Sequence, residues 1–125
     1  MKKVISTDKA PKAIGPYSQA IEANGTLYIS GQIPINPTTG LIIEGGIVEQ
    51  TTQVMENIGE ILKTAGYSFK DVVKSTCLLS DMTNFQAMNE VYGKFYNENP
   101  PARAAYGVVK LPLGVLIEIE TIAIK

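Results

Sequence analysis

The last eleven residues, VLIEIETIAIK, read as a β-strand with apolar side chains on both of its alternating sets. A strand wet on one face alternates apolar with polar, so this one asks for cover on both faces. Residues 71–80, DVVKSTCLLS, read as a second strand of the same character. The helices that a chain of 125 residues can supply cover one face of a sheet. The other face then leaves apolar surface for neighbouring chains to bury, which points to a homo-oligomer. The same terminal strand holds Glu118 and Glu120. Residues i and i+2 of a strand share a face, with Cβ atoms roughly 7 Å apart. Two ionised carboxylates that close, among Ile117, Ile119 and Ile122, need a partner, a water-filled pocket or a raised pKa. A solvated edge or pairing with lysines such as Lys110 would meet that need equally well.

The rest of the chain supplies the other elements. In YSQAIEANGTLYISG, two β-prone runs near 17–23 and 26–31 flank Asn24-Gly25, a dipeptide suited to the positive φ angles of a hairpin turn. QIPINPTTGLIIEGG reads as a loop. Val54, Met55, Ile58, Ile61, Leu62 and Ala65 follow a 3.6-residue period and predict a helix over 47–65, closed by Gly66 as a left-handed cap. A second helix starts near Thr83, with Thr83 and Gln86 as a capping box and Phe85, Met88, Tyr92 and Phe95 as its apolar stripe, and stops before Pro100-Pro101. Strands near 102–109 and 115–124 close the chain through the KLPLG turn, which predicts them as antiparallel neighbours. The order gives one α+β domain over 1–125, a single mixed or antiparallel sheet with two helices on one face.

Composition removes several chemistries. There is no histidine, hence no histidine general base, no His-dependent triad and few routes to a zinc site. Acid–base work falls to carboxylates, tyrosines or the single cysteine, Cys77, which precludes an internal disulfide and fits a reducing cytoplasm. Net charge is −1 with scattered lysines, so neither nucleic acid nor an anionic membrane is an expected partner, and a ribonuclease reading is disfavoured. No apolar run approaches a membrane span, and no apolar stretch follows Lys2-Lys3 as a signal peptide requires. Arg103 is the only arginine, so two-pronged recognition of a carboxylate is available at one place per chain.

The softer candidates are Ser30 and Gly31 at the hairpin exit, Tyr17 at the start of the first hairpin strand, and Asn89 in the second helix. Each also has an ordinary reading, as turn, packing or solvated face. Cys77, mid-strand and without a histidine, reads as a core residue and a poor nucleophile.

Together, AIGPYSQAI (13–21), SGQIPINPTTG (30–40), the Asn89 helix, PPARAAYGVVKLP (100–112) and IEIETIAIK (117–125) resemble the RidA/YjgF family of enamine/imine deaminases. The resemblance implies a chorismate-mutase-like α+β fold, assembled as a homotrimer with ligand sites in clefts between subunits. It implies hydrolysis of 2-aminoacrylate-type enamines and imines to 2-keto acids and ammonia, a 2-iminobutanoate/2-iminopropanoate deaminase activity without metal or cofactor. Such species leak from pyridoxal-phosphate enzymes. By the same resemblance, Arg103 grips the substrate carboxylate, Glu118 holds the attacking water, and the Tyr17 hydroxyl lines the site. Ser30 and Gly31 contact the ligand, and Asn89 lies near the cleft. Many members carry a cysteine where this chain has Ala105, which leaves only a backbone N–H there, and a charged residue where it has Leu113. A non-enzymatic regulatory protein that binds a small carboxylate in the same cleft is the competing expectation.

Overall fold

The structure, a computed structural model, describes residues 1–125. Six strands form one sheet: β1 (Lys3–Ile5), β2 (Ala20–Ala23), β3 (Thr26–Gln32), β4 (Val72–Leu79), β5 (Ala102–Gly107) and β6 (Ile117–Ile124), in the order β1-β2-β3-β6-β4-β5. The helices are α1 (Ile47–Ala65) and α2 (Phe85–Gly93). The β2–β3 hairpin turns at Asn24 and Gly25, whose φ values of 52° and 77° are those the dipeptide was chosen for. α1 has the predicted bounds, buries Val54, Met55, Ile58, Ile61 and Leu62, and ends at Gly66 with φ 84°. β1 pairs with β2 at Val4↔Ile21 and has no counterpart among the predicted strands, because three residues carry no readable period.

Two expectations are corrected. α2 starts at Phe85, two residues later than predicted, after a turn capped by Asp81, whose Oδ1 accepts from Thr83 N–H at 2.9 Å and from Thr83 Oγ1 at 2.8 Å. That bond occupies the Thr83 hydroxyl and adds a 3₁₀ turn over Met82–Asn84, so no Thr83–Gln86 box forms. The larger correction is that β5 and β6 are not a hairpin. β5 runs parallel to β4, in register Ser75↔Arg103, and β6 lies antiparallel between β3 and β4, with Thr121 opposite both Ile29 and Ser75. Parallel strands need a crossover, and α2 is the one joining β4 to β5. α1 likewise joins β3 to β4, which run the same way on either side of β6. Both helices therefore cover one face, as predicted.

The register fixes which side chains share that face. Leu27, Ile29, Ser75, Cys77, Leu79, Ile117, Ile119, Thr121 and Ala123 are buried beneath the helices. The opposite parity is open: Val4, Ile21, Tyr28 and Ile122 form one row across β1, β2, β3 and β6, and Glu118, Leu78 and Tyr106 form another across β6, β4 and β5. Val4, Tyr28, Tyr106 and Ile124 are 50–58% exposed, so this apolar face lacks cover within one chain. No helix is long and apolar enough to cross a membrane.

Candidate functional site

Glu118 and Glu120 share the open face, as strand parity requires. Where β3 meets them the pairing slips, from Ile29↔Thr121 to Gln32↔Ile119, so that Ser30 and Gly31 together oppose Glu120. This is a β-bulge inside the strand, where the sequence suggested a loop just past its end. The bulge turns Gly31 toward Glu118 closely enough that a Cβ on Gly31 would lie 2.9 Å from the Glu118 carboxyl carbon. Only glycine leaves that carboxylate its present place. Burial, and then the charge of Glu120, push the Glu118 carboxyl above the ordinary carboxylate range.

Around Glu118 is a cavity of about 680 Å³, lined also by Tyr17, Ser30, Gly31, Gln32, Lys12, Ile14, Pro112, Leu113 and Glu120. Tyr17 is half-exposed, on a loop closed by its own N–H donating to Gly15 O at 2.9 Å. The Ser30 hydroxyl donates to Ser18 O at 2.6 Å, so its hydrogen is engaged in holding the hairpin base and only its lone pairs face a ligand. Two residues that sequence reasoning missed hold the walls. Gln19 is buried; its Oε1 accepts from Thr7 N–H at 2.7 Å and its Nε2 donates to Pro11 O at 2.7 Å, fixing the N-terminal segment over the cavity. Asn57 of α1, also buried, donates to Ile33 O at 3.3 Å and Ile35 O at 3.0 Å and so pins the segment after β3.

Arg103 is elsewhere. It projects from β5 onto the helix face, where Nη1 donates to Asn89 Oδ1 at 2.6 Å and the guanidinium stacks 4.9 Å from the Tyr92 ring centre and 5.6 Å from that of Phe85. Its surroundings form a second cavity of about 390 Å³, lined by Asn89, Tyr92, Gly93, Tyr96, Pro100 and Pro101. Ala105 follows on the same face, in register with Cys77. The Cys77 thiol is buried and pushed up to about 11, so it is no nucleophile at neutral pH. No cluster of His, Cys, Asp or Glu suits a metal ion.

The candidate residues thus form two groups. Tyr17, Ser30, Gly31 and Glu118 line one cavity; Arg103 and Asn89 line the other. Arg103 is level with Thr121, two strands or roughly 10 Å from β6, while Glu118 lies three residues along and through the sheet on its other face. One chain cannot bring both side chains to one small molecule.

An α+β chain with one mixed sheet, two helices on one face, a bulge beneath a carboxylate and an edge arginine held by an asparagine is the class of protein this fold defines. The particular family is RidA/YjgF: residues 7–125 match the family model described as Endoribonuclease L-PSP, and the chain belongs to it. It is 58% identical to a RutC family protein of Pyrococcus horikoshii over 125 residues, 100% of this chain and 99% of that one. It is 52% identical to the mouse protein named 2-iminobutanoate/2-iminopropanoate deaminase, over 100% of this chain and 93% of the relative. The crystal structure of a Rid family protein from Yersinia pestis matches with TM-score 0.98 at 47% identity, covering 100% of both chains.

Two predictions test the cavity walls. Gly31→Ala should lower turnover at least tenfold with little change in Tm, because the nearest atoms are the movable end of Glu118 and the carboxylate yields before the fold does. Asn57→Ala leaves two carbonyls without their donor and should cost about 1–3 kcal/mol in urea denaturation. Its KM should rise as well, because the segment that Asn57 pins contributes Ile33 and Ile35 to the cavity lining.

Proposed function

We propose that the protein is a hydrolytic deaminase of 2-imino acids and their enamine tautomers, working at sites completed between copies of the chain in a homotrimer of chorismate-mutase-like fold. The observation that carries this reading is the division just described, in which a carboxylate of raised pKa and the chain's one arginine, held by Asn89, lie on opposite faces of one sheet. A neighbour that brings its β5 edge to the Glu118 cavity joins them. That contact uses two different surfaces, as a ring of three copies related by a threefold rotation requires, and it covers open apolar surface.

In the joined site, Arg103 holds the substrate carboxylate with the guanidinium N–H groups not spent on Asn89. Glu118 accepts a proton from a water as the oxygen attacks C2 of the imine. Glu118 returns that proton to the nitrogen to give the neutral carbinolamine, then takes the carbinolamine hydroxyl proton and delivers it to nitrogen as the C–N bond breaks, leaving the 2-keto acid and ammonia. The raised pKa suits both halves of this cycle, because a carboxylate nearer neutrality is a better base and its acid a usable donor. The imine is already electrophilic, so positioning and proton transfer suffice. Relatives named deaminase at about half identity over the whole chain support the reading.

The test couples the protein to a serine dehydratase that releases 2-aminoacrylate and follows pyruvate against the uncatalysed rate, alongside a light-scattering mass near three times 13.5 kDa. Acceleration that Glu118→Ala abolishes is the expected result. No acceleration, with keto-acid binding intact, leaves the carboxylate-binding regulator as the function.

A further inference from the structure

We infer that Leu113 sets the side-chain specificity of the site: with Ile14 it forms an apolar wall favouring 2-imino acids with branched or extended apolar side chains over 2-iminopropanoate. The inference rests on the deaminase reading and concerns the third substituent at C2. Leu113 has φ 56° and ψ 19°, a left-handed conformation that a residue with a branched side chain rarely adopts outside glycine and asparagine positions. It is also 75% exposed, whereas Leu111 and Val115 on either side are buried at 7% and 1%. The turn is held by Gly114 N–H to Leu111 O at 3.2 Å and Val115 N–H to Pro112 O at 3.3 Å, so buried anchors present the Leu113 side chain outward. Glycine or asparagine would suit both the backbone and the solvent better, and Leu113 lies outside the hydrophobic core.

What Leu113 does reach is the Glu118 cavity, and Ile14, 84% exposed, reaches it from a different loop. Two unrelated loops thus each hold an exposed apolar side chain at one polar site, the arrangement of an apolar wall with few convergent polar groups. With the substrate carboxylate turned to a neighbour's Arg103 and C2 at Glu118, the remaining substituent is the one left to meet that wall. The cavity, about 680 Å³, has room for more than a methyl group. Its charges, Lys12 against Glu118 and Glu120, offer no net positive lining to an acidic side chain.

The test compares kcat/KM for imines made in situ from leucine and from alanine by an amino-acid oxidase, in wild type, Leu113→Gly and Ile14→Ser. Glycine fits the turn, so the first variant keeps its fold. Wild type should favour the leucine-derived imine, and the leucine-to-alanine ratio should fall about tenfold in Leu113→Gly and less in Ile14→Ser. A ratio within about twofold of wild type in both variants overturns the inference. So does an equal loss on both substrates accompanied by a lower oligomeric mass, which makes Leu113 a contact between chains. Calorimetry with 4-methyl-2-oxopentanoate and pyruvate on the same proteins separates this idea from the deaminase reading. Should wild type hydrolyse neither imine, that reading fails, while a binding preference for the larger keto acid that Leu113→Gly removes still sustains the wall; equal binding sinks it.

Discussion

Arg103→Ala loses ten- to a hundredfold or more in kcat/KM, since even one charge-assisted hydrogen bond to a carboxylate is worth about 1.5–3 kcal/mol. The loss is local: Arg103 is on an edge strand and half-buried, and its removal costs the fold only the Asn89 bond and stacking on Tyr92 and Phe85. Lysine should not rescue it, because a point charge reproduces neither the fork nor the stacking. The variant also probes where the site is. Arg103→Ala mixed with Glu118→Gln, unfolded together and refolded, should recover about a quarter of wild-type activity, because random assembly pairs an intact Arg103 edge with an intact Glu118 cavity at that frequency. Each parent alone stays at its own low residual activity. Mixtures no better than the parents would place both residues' work within one chain, against the sheet geometry. Full activity in Arg103→Ala would remove it from the mechanism altogether.

Why that geometry escaped the sequence can be traced to particular residues. Periodicity located α1 to the residue and placed β4, β5 and β6, because each carries enough apolar side chains to reveal its period. It could not order the strands. KLPLG looked like a hairpin between β5 and β6, yet the Leu113–Gly114 pair of positive φ angles turns the chain back into a slot between β3 and β4, a choice decided by burial of Ile117 and Ile119 far from the turn. The error mattered, since a β5–β6 hairpin would have left an Arg103–Glu118 contact within one chain open, and the true order excludes it. The family motifs marked Arg103, Glu118, Tyr17, Gly31 and Asn89, and the structure gives physical content to two of them: Gly31 is the close approach beneath Glu118, and Asn89 is the acceptor that orients Arg103. Gln19 and Asn57 had a signal that went unread. Asn57 is a polar residue within the buried stripe of α1, and such a residue must find buried partners, here the carbonyls of Ile33 and Ile35. The Ser30–Gly31 bulge left no trace, because an extra residue in one strand is defined only against its partner.

Glu118→Gln should lower kcat by about a hundredfold to ten-thousandfold, the span of general acid–base contributions, while substrate-carboxylate binding through Arg103 persists. The same substitution should stabilise the chain, and the sign follows from the pKa. Burial and Glu120 hold the Glu118 pKa above its unfolded value, so the folded state resists ionisation. That cost is present at pH above the folded pKa and disappears as pH falls below the unfolded one. Glutamine removes it, so Tm should rise at neutral pH and match wild type in acid. An activity loss without a rise in Tm would mean that Glu118 ionises freely where it stands. The pH profile gives a second reading. With Glu118 acting as base, kcat/KM falls on the acid side through its pKa, above the ordinary carboxylate range. Glu120→Gln removes the neighbouring charge and should move that limb to lower pH without abolishing turnover. Such a shift would assign Glu120 its part: together with burial, it would keep Glu118 basic enough to take a proton from water and acidic enough, once protonated, to give one to the nitrogen. Two carboxylates on one strand face, unfavourable for folding, would then serve a chemistry done without histidine, and a limb that stays in place in Glu120→Gln would leave Glu120 with no part in it.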